Sequence, residues 1–311
     1  MHAKPCSPAP RPRLLIVGCG DVGMRILPLV RAAWSVRVLT SSPQRAAVLR
    51  AAGALPLVGD LDQPATLARL GGIADAVLHL APPQPKGNED LRTRALVRAL
   101  ARRVAVRRFV YVSTTGVYGD VGGARFDETR PVAPFNDRAR RRVDAERLLR
   151  AWARAACVRL CILRAPGIYA GDREGGHPRE RLQRGTPVLA RGEDVYSNHI
   201  HADDLARACV AALYRAPPQR VFNACDSSEL LVGDYYDLAA DLCGLPRPPR
   251  LARAEAEAQL SAQQMSFLSE SRRLDNRRLR EELRLVLRYP TVAQGLAQGR
   301  HGPHRPHDSR G

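Results

Sequence analysis

The sequence predicts a doubly wound α/β fold, a parallel sheet covered on both faces by helices, with a smaller, mainly helical C-terminal substrate lobe. Two patterns carry this. Short apolar runs recur through the first half, at Leu14 to Val17, Val36 to Leu39, Leu55 to Val58, Ala76 to Leu80, Phe109 to Val112 and Val158 to Leu163. Helix-like segments separate them, near 22–33, 43–52, 63–70, 88–104 and 136–156. Strands spaced by a helix are joined by crossovers, so neighbouring strands run parallel and both sheet faces are buried.

The first strand runs straight into Gly18, Cys19, Gly20, Asp21, Val22 and Gly23, and then into a helical pattern. A buried strand, a tight glycine turn and a helix at the start of a domain form the fingerprint of a Rossmann dinucleotide-binding fold. Gly18 permits the turn, Gly20 lets the backbone approach the pyrophosphate, and Gly23 lets the helix pack on the strand. The helix N-terminus then faces the anion, with Cys19, Asp21 and Val22 completing the loop.

The second strand ends in Thr40, Ser41 and Ser42, with Arg45 close behind and no carboxylate to accept from a free ribose diol. Small hydroxyls and an arginine suit a 2′-phosphate, so NADP(H) is favoured over NAD(H). The third strand leads to Asp60 and Leu61, placed for the adenine. The fourth ends in His79, Leu80 and Ala81, where small residues let a cofactor cross the sheet edge.

Beyond Arg164 the alternation weakens. A stretch rich in Gly, Pro and charge runs from Pro166 to Gly192, a helix is expected near 203–215, a strand at 221–223 and mainly helical sequence after Val232. The expected organisation is a disordered N-terminus (1–12), a dinucleotide-binding domain (13–165, with 199–224 returning to it), a substrate lobe (166–198 and 225–298) and a disordered tail (299–311).

Composition narrows the function classes. With 311 residues and 45% hydrophobic content, the chain can bury a full core. The formal charge of +18 is almost all arginine, Lys4 and Lys86 being the lysines, and is spread along the chain; aromatics make up 5% of the residues and none interleaves the cluster Arg138, Arg140, Arg141 and Arg142. A nucleic-acid surface is therefore not expected, while a phosphorylated or nucleotide-linked small molecule suits the basic surface. Seven cysteines, an odd number without paired spacing, predict reduced thiols and no metal. No apolar stretch is long enough to span a membrane or act as a secretory leader, which points to a cytoplasmic protein.

Further segments join the glycine turn: His79 to Ala81, Val112 to Gly119 (VSTTGVYG), Asp127 to Pro131 (DETRP), Arg164 to Tyr169 (RAPGIY) and His199 to Ala206 (HIHADDLA). In order and spacing the chain resembles the extended short-chain dehydrogenase/reductase superfamily, the NAD-dependent epimerase/dehydratase group, over residues 13–298. The resemblance implies that Thr114, with Ser113 beside it, hydrogen-bonds a substrate oxygen, and that Pro166 flanks the cofactor. It also calls for a Tyr-x-x-x-Lys pair on the helix before Ala145 and Glu146. Those positions hold Arg138 and Arg142, so the chain looks like the atypical branch of the superfamily, which keeps the fold and glycine motif but lacks the active-site tyrosine. Arginine is no ordinary proton donor, although Arg142 can still hold ribose hydroxyls or a phosphate. Tyr118, Tyr169, Tyr196 and His201 are the substitute acids to weigh. His199 and His201 match a structural hinge of the family better than a metal site, and Asp203 or Asp204 is expected to cap the following helix.

Two functions follow from the resemblance: an NADP(H)-dependent oxidoreductase or epimerase/dehydratase-like enzyme acting on a hydroxyl or keto group, as in a nucleotide sugar, or a non-catalytic protein that senses NADP(H) or assists assembly. A monomer or a homodimer is expected.

Overall fold

The apolar runs pair side by side. In the computed structural model, which describes residues 10–297, β1 (Arg13–Val17), β2 (Ser35–Thr40), β3 (Leu55–Val58), β4 (Ala76–His79), β5 (Arg108–Thr114), β6 (Arg159–Ala165) and β7 (Arg220–Asn223) form one parallel sheet. Its order is β7-β6-β5-β4-β1-β2-β3. Ile16 of β1 lies opposite Val38 on one side and Leu78 on the other, both in parallel register. Leu14, Leu15, Ile16 and Val17 are all fully buried, which is why this strand reads as an unbroken apolar run rather than an alternation.

The crossovers are helical: α1 (Asp21–Val30), α2 (Ala46–Ala51), α3 (Leu91–Ala101) and α4 (Asp137–Ala155). The segment expected to be helical at 63–70 winds as a 3₁₀-helix over Pro64–Leu70. Successive strands leave β1 in opposite directions, β2 and β3 one way and β4 and β5 the other. Such a switch point opens a crevice at the carboxyl ends of the strands, where ligands of these sheets bind. At the opposite end of β1, Asp75 accepts from the Arg13 amide (2.8 Å) and from its guanidinium (2.8 and 3.1 Å), which ties the starts of β1 and β4 together.

By its contacts the chain divides into two units. The first holds residues 10–112, Arg141–Ile162 and Cys209–Arg220, and the second holds Ser113–Arg140, Leu163–Ala208 and the described chain from Val221 onward. The tails expected at 1–12 and 299–311 lie outside the described residues, apart from 10–12.

In the second unit, short strands replace part of the helical sequence expected after Val232. Residues 250–251 pair with 188–189, and 273–274 pair with 125–126. Among the described residues its helices include Arg179–Gln183, α5 (Ala202–Arg215), whose first half belongs to this unit, and α6 (Val232–Cys243), followed by four short ones. One small core gathers Tyr169, Leu182, Tyr235 and Val292, and another gathers Leu189, Val195, Val232 and Leu268. Asp204, expected as a helix cap, is fully buried inside α5. It accepts instead from the backbone amides of Arg288 and Tyr289, each at 2.8 Å, and so holds a distant segment of the chain. Among the described residues no helix is long and apolar enough to cross a membrane.

Candidate cofactor and substrate residues

Three glycines of the turn meet three different surroundings. Gly18 has φ +82°, and a Cβ there would stand 2.6 Å from both the nitrogen and the Cα of Ala81. The approach is fixed by β4, because the Leu80 and Ala81 amides both donate to the Val17 carbonyl, at 2.8 and 3.0 Å. A Cβ on Gly23 would press on Cys19 Sγ at 2.9 Å, so this glycine lets α1 pack on its own turn. Around Gly20 there is nothing within 4 Å, and its φ of −77° is open to any residue. The protein itself does not require glycine there. The open surround leaves room for a dinucleotide pyrophosphate beside the first-turn amides of α1.

Charge around the turn is arranged in the same sense. Asp21 would oppose an anion, but Arg25 one turn on holds its carboxylate at 3.1–3.2 Å. Arg45 donates from Nη1 to the Cys19 carbonyl, which brings its guanidinium against the glycine turn. The Cys19 thiol is buried and its pKa is pushed up to about 11 by that burial, so it packs as a neutral group. Thr40 closes β2 with its hydroxyl accepting from the Ser42 amide at 3.2 Å, and Ser41 is exposed beside it. Asp60 accepts from the Asp62 amide at 2.9 Å in a local turn, followed by a 2.6 Å ion pair from Arg92 to Asp62. Leu61 is half-buried between these two acids.

Arg142 of α4 is engaged deep in the same unit. Its Nη1 donates to Tyr111 Oη and to the Val112 carbonyl, both at 3.0 Å, and its guanidinium lies 5.6 Å from the centre of the Tyr111 ring. Tyr111 is fully buried, and burial pushes its pKa up to about 12. The Tyr111 ring also meets the His79 ring, with centroids 5.2 Å apart. His79 Nε2 stands 2.9 Å from Thr93 Oγ1, which donates at 2.8 Å to Asp90, the cap of α3. The Thr93 hydroxyl proton is thus used on Asp90, so His79 Nε2 is the donor in its pair. Burial, with Arg142 nearby, lowers the His79 pKa to about 3, which keeps the ring neutral. Tyr111, Thr93 and Asp90 were not singled out from the sequence. An aspartate three residues before a threonine at a helix start was a usable signal; a tyrosine inside an apolar strand was not.

The second unit holds the other expected residues. Ser113 is buried, and half-buried Thr114 accepts on Oγ1 from the Gly116 amide at 3.3 Å, capping the turn over Thr115–Tyr118. Asn136 begins α4 by accepting from the Ala139 amide at 2.9 Å. Arg138 lies 4.7 Å over the half-exposed Phe267 ring. Pro166 separates β6 from a short strand over Gly167–Tyr169.

Of the substitute acids, three are interior. Tyr118 is 1% exposed, donates to Asn223 Oδ1 at 2.8 Å and carries Arg164 at 4.6 Å over its ring. Tyr169 is buried, which raises its pKa far above the usual phenol range. His201 is buried between the Tyr169 and Tyr289 rings, at 5.3 and 3.9 Å. Tyr196 is half-buried beneath Arg273, 4.8 Å away. His199 is also buried and stacks on Tyr235 at 4.2 Å. Among the described residues no group of three or more His, Cys, Asp or Glu side chains is placed to hold a metal.

Comparison with known proteins shows the family. The model of the NAD dependent epimerase/dehydratase family matches residues 14–225. Human dTDP-D-glucose 4,6-dehydratase is 28% identical over 145 residues, which is 45% of this chain and 41% of that protein. The chain thus matches less than half the length of that relative. GDP-6-deoxy-D-mannose reductase of Pseudomonas aeruginosa is 26% identical over 275 residues, 78% of this chain and 86% of that protein. Among solved structures, a conserved protein of unknown function from Silicibacter pomeroyi superposes with a TM-score of 0.77 at 31% identity. The superposition covers 93% of this chain and 99% of that one.

Proposed function

The chain belongs to the NAD dependent epimerase/dehydratase family, and on that footing we propose that it is an NADP(H)-dependent oxidoreductase or epimerase/dehydratase-like enzyme acting on a hydroxyl or keto group of a nucleotide-linked sugar. The observation that carries cofactor binding is the empty surround of Gly20 between two glycines that the fold itself requires. Bound there, the dinucleotide supplies a hydride acceptor or donor. The protein's part is to place it: the amides of Asp21, Val22 and Gly23 and the α1 dipole receive the pyrophosphate, Leu80 and Ala81 flank it, and Asp60 and Leu61 take the adenine side. Arg45 meets the 2′-phosphate with Thr40 and Ser41, which supports NADP(H) over NAD(H). Arg142 holds the nicotinamide ribose, Pro166 borders the ring, and Thr114, assisted by Ser113, orients the substrate oxygen. A nucleotide-linked sugar follows from what the relatives' names say of them and from the arginine-rich surface. A cytoplasmic location and a monomer or homodimer belong to the same proposal.

A second function is favoured by one observation. Arginine stands where the family's acid would be, and Tyr118, Tyr169 and His201 are buried. A protein that binds NADP(H) without turnover, as a sensor or assembly factor, needs no proton donor. Parallel calorimetric titrations of the purified chain with NADPH and NADH are the first test. Binding of NADPH supports the cofactor assignment, and subsequent turnover of nucleotide sugars separates the enzyme from the sensor. Failure of folded, nucleotide-free protein to bind either dinucleotide overturns both functions.

A further inference from the structure

Tyr111 and Arg142 together resemble the tyrosine–cation pair that the sequence lacks: a phenol oxygen stands 3.0 Å from a cationic nitrogen. The resemblance stops at burial. Tyr111 has no exposed surface, and its pKa is pushed up, not down, so its hydroxyl neither meets a substrate nor ionises readily. Its role has to be sought in what it touches.

A long, flexible side chain that contacts a ligand from a helix needs fixing if it is to contribute binding. The guanidinium of Arg142 is fixed by two acceptors on adjacent residues of β5, Tyr111 Oη and the Val112 carbonyl. The Tyr111 ring is in turn backed by His79, whose orientation is set through Thr93 by Asp90. Each link uses its hydrogen-bonding capacity in one direction only. Neutral His79 donates to Thr93, Thr93 donates to Asp90, and Arg142, which has no acceptor atoms, can only donate to Tyr111.

We propose that Tyr111 is a positioning residue for cofactor binding: its hydroxyl fixes the Arg142 guanidinium in the orientation that receives the nicotinamide ribose. The strut acts on one end of the dinucleotide alone, since the residues that meet the adenine end, Arg45, Thr40 and Asp60, share no hydrogen bond with it. The proposal rests on the assignment of Arg142 to the nicotinamide ribose, and its test separates the two.

NADPH and NADH are titrated into the wild type, Tyr111→Phe, Arg142→Ala and the double variant, alongside adenosine 2′,5′-bisphosphate and AMP, which lack the nicotinamide riboside. Phenylalanine keeps the ring against His79, and thermal melts verify that each variant is folded. The expected result is about a tenfold loss of dinucleotide affinity in Tyr111→Phe, the worth of one hydrogen bond to a charged group. Affinity for the adenosine fragments should be unchanged, and the double variant should bind no worse than Arg142→Ala. Unchanged dinucleotide affinity in Tyr111→Phe, equal loss for dinucleotides and fragments, or additive losses in the double variant overturn the role of Tyr111 while leaving that of Arg142 standing. Full affinity in Arg142→Ala, or no dinucleotide binding by the wild type, removes the underlying assignment as well.

Discussion

Gly18 and Ala81 are in backbone contact: a methyl group on the glycine would fall 2.6 Å from the alanine nitrogen, in a region of backbone space with φ +82°. Gly18→Ala is therefore expected to cost at least about 3 kcal/mol, from left-handed strain and a collision with main chain that cannot swing aside. Gly20→Ala meets nothing and, as a change at the N-cap of α1, should cost no more than about 1 kcal/mol, yet it intrudes where the pyrophosphate would approach. Melting curves beside calorimetry on both variants check the pair. A Gly20→Ala protein that binds dinucleotide as tightly as the wild type removes the cofactor assignment.

Arg45 bears on which cofactor is used. Its guanidinium reaches the Cys19 carbonyl beside a second strand that carries no terminal acid. Arg45→Ala should weaken NADPH about tenfold, the scale of one charge-assisted contact, and leave NADH nearly unchanged. Equal loss for both would assign Arg45 to supporting the turn rather than to reading the 2′-phosphate.

Asp204 secures the backbone at Arg288 and Tyr289 from inside α5 and also pairs with Arg207 at 2.8 Å. Replacing it with alanine leaves two amides without an acceptor, an expected loss of about 3–5 kcal/mol. In a domain of this size that lowers Tm by on the order of 10 °C. A variant that melts within 2 °C of the wild type, a threshold of roughly 1 kcal/mol, would show that the segment is held by other contacts.

Asp226 is buried, with Oδ2 lacking a hydrogen-bond partner, and burial aided by nearby Asp204 raises its pKa to about 7. Because the folded value exceeds the unfolded one, near 3.9, the protonated form favours folding. Its contribution is full below about pH 4 and is lost as pH rises towards 7, by at most about 4 kcal/mol. Asp226→Asn should flatten this slope and stabilise the protein at pH 8, as seen by melting between pH 5 and 8. An unaltered pH profile would mean that the carboxyl is hydrated in solution.

The fold was legible because burial on both faces writes each central strand as a bare apolar run; Leu14 to Val17 and Ala76 to His79 appear where the pattern placed them. The glycine turn was legible because its geometry is local, closed within Gly18 to Gly23. The contacts of Arg142 with Tyr111, of Arg45 with Cys19 and of Asp204 with Tyr289 span 31, 26 and 85 residues of sequence. Nothing in a local pattern records which arginine a buried tyrosine will meet once the sheet is assembled. The same limit explains why Asp204 read as a cap: its own helix start was in view, and the segment it serves was not.

The unequal surroundings of the three glycines bear on how the turn would drift. A library randomised at 18, 20 and 23 and selected only for folded protein should recover glycine at the outer positions and let the middle one scatter. Sorted for retained nucleotide instead, the same library should return glycine at 20. Position 20 therefore carries information that stability alone does not preserve, and its loss would be invisible to any screen that reads folding.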